Sequence, residues 1–233
     1  MLKVDLHIHT ADDPQDIVPY STVELIDRAA ALGFGAIAVT LHDRQLELSP
    51  LVAYARGRGV ELIGGIERSI CGKHVLLLNF PAAASESVAS FHDLAALRAG
   101  HPAGLVIAPH PFYPAPTCLR GLMERHADLF DAVEINAFYT RGFDCNGAAR
   151  RWGRRHGKPA VGNSDAHRLP LFGRTFSLVG SRPDADAICA AIRAGRVEVR
   201  TTPLSMGEAA GYLARLMLGS LDGRRCGRDP LPA

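Results

Sequence analysis

The chain has 233 residues, 47% of them hydrophobic and 21% charged, and a formal net charge of +2 at pH 7. This composition is ordinary for a globular protein, and the net charge is too small to argue for nucleic-acid binding by itself. The first residues show no secretory-signal pattern, and no apolar run is long enough to span a bilayer. Five scattered cysteines without a C-x-x-C pair exclude a zinc knuckle and a disulfide framework, so we expect a cytoplasmic protein.

Short apolar runs alternate with amphipathic stretches from the start of the chain to about residue 200. The predicted strands lie at 3–8, 35–40, 60–66, 74–80, 104–110, 132–137 and 159–164, with 174–180 as a further candidate. The predicted helices lie near 21–33, 49–58, 85–99, 118–128, 144–156 and 184–194. The first of them carries a capping box, since Glu24 follows Ser21 by three residues, and Gly33 marks its end.

Strands that alternate with helices predict a parallel sheet, and seven or eight strands without a linker favour a closed barrel over a doubly wound sheet. We therefore predict an α/β fold, a single-domain TIM-like β/α barrel over residues 1–200. Residues 201–233 are predicted to hold one more helix, at 206–218, and then a disordered tail.

Three polar residues alternate along the first strand, which reads VDLHIHT. Period two predicts that Asp5, His7 and His9 share one face, opposite Leu6 and Ile8. Polar side chains on a buried strand are costly unless something satisfies them, and imidazoles and carboxylates are common ligands of divalent metals. The segment therefore predicts the first part of a metal site.

The same kind of residue ends several later strands. They are His42, Glu67, His110, Asp165 and His167. Because catalytic residues of β/α barrels project from the carboxyl ends of strands, we expect these side chains to meet at one mouth. His74 precedes its apolar run, so it reaches this mouth only if the chain reverses before it. The four remaining histidines fall in helices or loops and are predicted to be surface residues.

At this point the sequence resembles the PHP (polymerase and histidinol phosphatase) family of metal-dependent phosphoesterases. The matching motifs, in family order, are DLHIHT, Thr40 to His42, GIE ending at Glu67, KHVLLL, APHP, VEIN and SDAH. The resemblance implies a distorted (β/α)7 TIM-like barrel with two or three divalent ions, zinc, manganese or iron. It also implies three ligand groups: His7, His9, Glu67 and Asp165; Glu67, His74 and His110; and His42 and His167 with an acidic residue after the first motif.

Two positions leave the third group open. Its acidic residue is Asp16, with Asp13 as the second choice and Asp12 interpreted as a loop residue. The family usually has T-D-H where this chain has Leu41 between Thr40 and His42. The missing carboxylate is interpreted as a group that orients a ligand, and Asp43 is an alternative source for it.

The function implied is hydrolysis of a phosphate ester by a hydroxide that bridges the metals, with Glu67, Asp165 and His167 as catalytic residues. The expected substrate is a small phosphorylated metabolite or a nucleotide. Nucleic acid is expected only as a short oligonucleotide, and no membrane is expected as a partner. One alternative is an amidohydrolase-like enzyme acting on C–N bonds, but none of the three lysines ends a predicted barrel strand. Another is a metal-stabilised PHP domain without catalysis.

The pattern of basic residues does not assign a phosphate-binding role to any of them. The cluster RRWGRRHGK at 150–158 is either a solvated helix face or a phosphate-binding patch. Arg44, Arg68, Arg141 and Arg168 are near predicted rim positions, where arginine could contact phosphate. Each is as well explained as a surface residue, so none is included in the predicted site.

Overall fold

A sheet curved into a nearly closed barrel organises the part of the chain that the computed structural model describes, residues 1–212 and 214. In spatial order its strands run β7-β6-β5-β4-β3-β2-β1-β8-β9. Their bounds are β1 (Leu2–Ile8), β2 (Ala36–Val39), β3 (Glu61–Ile70), β4 (Lys73–Leu78), β5 (Leu105–Ala108), β6 (Ala132–Asn136), β7 (Ala160–Asn163), β8 (Thr175–Val179) and β9 (Val197–Thr201). The α/β barrel predicted from the sequence is confirmed.

The barrel closes between β7 and β1. Just beyond β7, Asp165 N–H donates to the carbonyl of His7 at 2.8 Å, and Ala166 forms a parallel bridge with Ile8. Closer to the start of β7, Ser177 of β8 bonds to both backbone groups of Gly162. Closure therefore brings the segment after β7 beside the end of β1, where the polar residues of both strands lie.

The prediction of an all-parallel sheet is wrong at three strands. β4 is antiparallel to both β3 and β5, and β8 and β9 are antiparallel to their neighbours. A two-residue turn at Cys71 and Gly72, both with positive φ, joins β3 to β4 as a hairpin. This reversal puts the start of β4 at the same rim as the carboxyl ends of the parallel strands, so His74 reaches that rim.

Seven α-helices lie outside the strands before residue 200, at α1 (Thr22–Ala31), α2 (Ser49–Arg56), α3 (Ala82–Glu86), α4 (Phe91–Gly100), α5 (Leu122–Arg125), α6 (Asn146–His156) and α7 (Ala185–Arg193). Ser21 and Glu24 form the predicted capping box, and Gly33 takes a positive φ after α1. The helix predicted at 85–99 is two helices, because Ser90 and Asp93 form a new capping box that starts α4.

The C-terminal part of the prediction is only partly described. Residues 206–212 and 214 are helical, whereas the rest of the predicted helix and the predicted disordered tail lie outside the described residues. Strand β9 was not predicted, because its exposed residues alternate with half-buried ones and carry charge. Among the described residues, none of the helices is both long and apolar enough to cross a membrane.

Candidate metal centre

The structure brings all nine predicted metal ligands together at the carboxyl-end rim of the barrel. His7 comes from β1 and His9 directly follows that strand, while Glu67 comes from β3 and His74 from the start of β4. Loops after β2, β5 and β7 supply His42, His110, Asp165 and His167, and the loop after β1 supplies Asp16. The imidazole rings pack on one another, with His9 stacked against both His42 and His167 at centroid distances of 4.5 and 4.2 Å.

Glu67 lies at the centre of this cluster and is almost completely buried. Its Oε2 atom lies 3.3 Å from Nε2 of His7, 3.3 Å from Nε2 of His9 and 3.2 Å from Nε2 of His42. Its Oε1 atom lies 2.8 Å from Nδ1 of His74 and 3.1 Å from Nε2 of His110. The two oxygens therefore face two different sets of imidazoles, as a carboxylate that bridges two cations would.

Asp165 approaches the same histidines from the opposite side of the barrel seam. Its Oδ1 atom lies 3.4 Å from Nε2 of His7 and 3.5 Å from Nε2 of His9. Its Oδ2 atom accepts a hydrogen bond of 3.0 Å from the side chain of Asn136. Asp165 has a φ of 50°, an uncommon conformation for a residue other than glycine, and its backbone bond to His7 holds it there.

Two aspartates, rather than one, approach the third group of ligands. Asp13 is buried, and its Oδ2 lies 2.8 Å from Nδ1 of His9 and 3.1 Å from Nδ1 of His42. Asp16 is partly exposed, and its Oδ2 lies 2.9 Å from Nε2 of His167 and 3.8 Å from Nδ1 of His42. Asp12 instead accepts a hydrogen bond from Thr22, which agrees with its interpretation as a loop residue.

The position that departs from the family pattern points away from the cluster. Leu41 is fully buried in a hydrophobic core that also contains Val39 and Ile26. Asp43 does not replace the missing carboxylate, because its oxygens accept hydrogen bonds from Arg68, the Ser69 backbone and Gln15. Since Asp13 contacts His42, it is this residue that supplies a buried carboxylate beside the third group.

A layer of polar residues behind the cluster was not assigned a role from the sequence. Glu134 Oε1 lies 2.8 Å from Nδ1 of His7, and its Oε2 accepts a 2.7 Å hydrogen bond from the backbone of His110. Asn163 also donates to Glu134, at 3.0 Å. The signal that could have found this layer is the alternation of two polar residues in VEIN, on a strand that is otherwise apolar.

The first strand is less regular than its alternation predicts. Its register against β2 shifts between Asp5 and Ile8, and Leu6 and Ile8 pack in different core clusters. Asp5 lies behind the cluster and accepts hydrogen bonds from the backbones of Ser164 and His7. Burial raises the pKa of Asp5 to about 7, against the effect of these bonds.

The charges of the cluster are strongly coupled. Burial lowers the pKa of His9, but hydrogen bonds to Asp13, Asp165 and Glu67 outweigh this and raise it to about 10. Burial acts in the same sense on His7, whose pKa is nonetheless raised well above its usual value by neighbouring carboxylates. Burial raises the pKa of Glu67, but the histidines around it hold that pKa well below its usual range.

The donor set fits divalent cations. Ligand atoms of His7, His9 and Glu67 lie within 4.8 Å of one another, and the same holds for His42, Glu67 and His74. Such buried imidazole and carboxylate groups are the usual ligands of zinc, manganese and iron. A cation at these positions would satisfy polar atoms that otherwise face each other in a buried space.

Comparisons with known proteins show what this chain resembles. Residues 144–197 match the family model described as PHP-associated. Over this segment the chain is similar to the PHP family. It is 35% identical over 77 residues to a 3′,5′-nucleoside bisphosphate phosphatase from Chromobacterium violaceum, an alignment that covers 33% of this chain and 26% of that protein.

Solved structures share the fold of this chain. A two-domain protein from Bacteroides vulgatus, described as containing a predicted PHP-like metal-dependent phosphoesterase, superposes with a TM-score of 0.65 at 18% identity over 86% of this chain. PsfC from Pseudomonas syringae superposes with a TM-score of 0.61 at 19% identity, over 96% of this chain and 98% of that one. The chain spans only 64% of the Bacteroides protein and about a quarter of the Chromobacterium phosphatase.

Proposed function

We propose that this PHP domain is a metal-dependent phosphoesterase whose centre is built on Glu67. The observation that carries the proposal is the position of Glu67, whose two oxygens face separate sets of imidazoles from four different parts of the barrel. A surface histidine cluster would not require a buried carboxylate at its centre. Two ions that share one carboxylate suit displacement at phosphorus, where charge develops on both the attacking and the leaving oxygen.

The residues divide into three ligand sets. The first is His7, His9, Glu67 and Asp165; the second is Glu67, His74 and His110; the third is His42 and His167 with Asp16 or Asp13. When bound, two or three ions of zinc, manganese or iron would supply Lewis-acid stabilisation of the phosphoryl oxygens and lower the pKa of a water molecule.

Two residues are proposed to move protons in the reaction. Asp165 is held by its Asn136 hydrogen bond and its backbone, so its Oδ1 stays directed at the space beside His7 and His9 and can accept a proton from the attacking water. His167 has Nδ1 3.1 Å from the Asp165 carbonyl, which leaves Nε2 beside Asp16 at the partly exposed side of the centre. When it is not a ligand of the third ion, it can donate a proton to the leaving oxygen there.

The proposed substrate is a small phosphate monoester or a nucleotide. The partial similarity to a 3′,5′-nucleoside bisphosphate phosphatase supports this class. No further domain is inserted between the ligand-bearing strands of the described chain, which also favours a small ester, because loops on the rim determine what a barrel admits. Among nucleic acids, the proposal allows only a short oligonucleotide as a substrate.

Hydrolysis of C–N bonds is less well supported, because no lysine of the described residues contacts the cluster. Lys3 Nζ donates to the carbonyl of Leu32, and Lys73 donates to that of Pro116. Lys158 precedes β7 and thus lies at the opposite end of the barrel. A bridging carbamylated lysine, which amidohydrolases commonly use, has no source here.

A substrate panel tests the proposal directly. The full chain, loaded with manganese, is assayed for release of phosphate from phosphorylated metabolites, 3′,5′-bisphosphonucleotides and short oligonucleotides, with cyclic amides as the comparison. We expect hydrolysis of a phosphate ester, which is lost in Glu67→Ala and His7→Ala. Glu198→Ala, which removes an exposed carboxylate of β9, is the matched control and should retain activity.

Two results would contradict the proposal. Hydrolysis of amides alone would favour the amidohydrolase alternative. Stoichiometric metal binding without hydrolysis of any ester in the panel would favour a metal-stabilised domain without catalysis.

A further inference from the structure

A second concave surface lies at the opposite end of the barrel from the metal centre. It has a volume of about 590 Å³ and is bordered by the C-terminal half of α6, the start of β7 and the turn from α7 to β9. Four cationic side chains line it, namely Arg150, Arg154, Lys158 and Arg193. This surface is called the basic cavity below.

The basic cavity is separate from the metal centre. It borders Ala160, the first residue of β7, whereas Asp165 follows the end of that strand. The strand β7, at about 3.3 Å per residue, puts roughly 10 Å of extended chain between the two positions. A ligand in the basic cavity therefore does not occupy the space between the histidines.

The positive charge of the basic cavity is not compensated by the described residues. No acidic residue lines it, and none of its four cations lies within 4.0 Å of a carboxylate oxygen in residues 1–212 or 214. Arg193 donates only to the backbone carbonyls of Ala103 and Gly104. Nearby cations outside the cavity differ, since Arg155 pairs with Glu124 and Arg200 with Glu198.

Helix stability alone does not account for this arrangement. Arg154 is in the last turn of α6, where a positive charge interacts favourably with the helix dipole. Arg150 lies one turn earlier on the same face, and like charges four residues apart are destabilising. Lys158 and Arg193 come from other elements and add to the same field. An anionic ligand would offset this repulsion.

We infer that the basic cavity binds a small ligand with adjacent phosphate groups. Arginine binds phosphate oxygens in pairs, and its guanidinium group stays charged at any physiological pH. The volume is within the range of small-molecule sites, about 300–1,000 Å³. Pro159 and Val199 provide an apolar wall for the organic part of such a ligand.

A small ligand fits the charge distribution better than a nucleic-acid strand. A strand requires a basic track that continues along the surface. Here the unpaired cations converge on one concavity, and carboxylates neutralise Arg155 and Arg200 at its margins. The guanidinium group of Arg151 lies near Gly147, at the start of α6, and does not line the cavity.

Calorimetric titration of the full, metal-loaded chain with inorganic pyrophosphate tests this inference. Pyrophosphate can also bind at the metal centre, so the result rests on a comparison of variants. We expect a double variant, Arg150→Ala with Arg154→Ala, to lose one equivalent of binding or to bind it at least tenfold more weakly, while it keeps its metal content. Arg151→Ala, from the same helix, is the matched control and should bind as the wild type does.

If the double variant unfolds at a lower temperature than the wild type, Lys158→Ala, which is outside α6, replaces it with the same expectation. Identical pyrophosphate binding by the wild type and by the folded variants would overturn the inference. A single-stranded oligonucleotide that binds more tightly than pyrophosphate, and loses affinity in the same variants, would overturn it in favour of nucleic acid. Because metal content and pyrophosphate binding are measured without a substrate, the result does not depend on the proposed function.

Discussion

Glu134 Oε1 lies 2.8 Å from Nδ1 of His7, while Nε2 of the same ring lies 3.3 Å from Glu67. A carboxylate at one ring nitrogen fixes the tautomer and the orientation with which the other nitrogen meets a metal. Glu134 also accepts from the His110 backbone, so one side chain positions residues of two ligand sets. We therefore expect Glu134→Gln to lower metal affinity about 10- to 100-fold.

Competition with a chelator of known affinity measures this effect. The matched control is Glu61→Gln, which changes a carboxylate of β3 that pairs with an exposed arginine. Equal metal affinities of Glu134→Gln and the wild type would show that this hydrogen bond has no influence on the centre.

Asp13 and Asp16 are expected to contribute unequally to metal binding by the third group of ligands. Asp13 is buried and contacts both His9 and His42, whereas Asp16 is partly exposed and its shortest contact is with His167. We expect Asp13→Asn to lower metal content and affinity more than Asp16→Asn, because a buried carboxylate interacts in a medium of lower dielectric. Metal analysis by mass spectrometry of both variants is the measurement. A larger loss in Asp16→Asn would instead support Asp16 as the dominant acidic ligand.

Asp43 is predicted to stabilise the fold without serving the metals. It pairs with Arg68 at 2.8 Å and accepts a 2.7 Å hydrogen bond from the Ser69 backbone. Asp43→Asn should lower the free energy of unfolding by about 1–2 kcal/mol, as measured in urea. Asparagine tolerates the positive φ of this position, so the change removes charge rather than backbone compatibility. If Asp43→Asn instead binds less metal and is as stable as the wild type, the prediction is wrong and Asp43 belongs to the third group of metal ligands.

Metal binding should release protons and become tighter as the pH rises. Burial lowers the pKa of His9, but its carboxylate neighbours raise it to about 10, so this imidazole is protonated at pH 7 before a metal binds. The metal must displace that proton, and its apparent affinity therefore increases from pH 7 towards pH 10. The stabilising interaction of protonated His9 is complete below pH 6.5 and is lost as the pH rises through about 10.

Calorimetry in buffers with different ionisation enthalpies counts the released protons. We expect at least one proton per bound ion at pH 7, together with heats that depend on the buffer. Heats that are the same in every buffer would mean that the imidazoles are already neutral.

Much of the metal centre follows from the sequence because its residues mark the ends of predicted strands. His42, Glu67 and His110 each end an apolar run, and parallel strands bring such ends together. His74 shows the limit of this argument, because its position depends on the hairpin at Cys71 and Gly72. A chain reversal of that kind depends on backbone dihedral angles, which hydrophobic periodicity does not report.

Other features depend on contacts between distant parts of the chain. Glu134 lies 127 positions from His7 in sequence, and their hydrogen bond requires the barrel to close between β7 and β1. The roles of Asp13 and Asp16 depend on the course of an irregular loop, and three acidic residues within five positions cannot be ranked by spacing alone. The antiparallel strands β8 and β9 lie at the barrel seam. The direction of each strand relative to its neighbours depends there on the topology of the whole sheet, not on the local sequence pattern.

Anomalous X-ray scattering from crystals of the full chain grown with manganese tests the central claim most directly. The account predicts peaks between Glu67 and the imidazoles of His7 and His9, and between Glu67 and those of His74 and His110. The same data from Glu67→Gln should lose one or both peaks. Crystals that contain manganese elsewhere but show no peak beside Glu67 would contradict the assignment of this cluster as a metal centre.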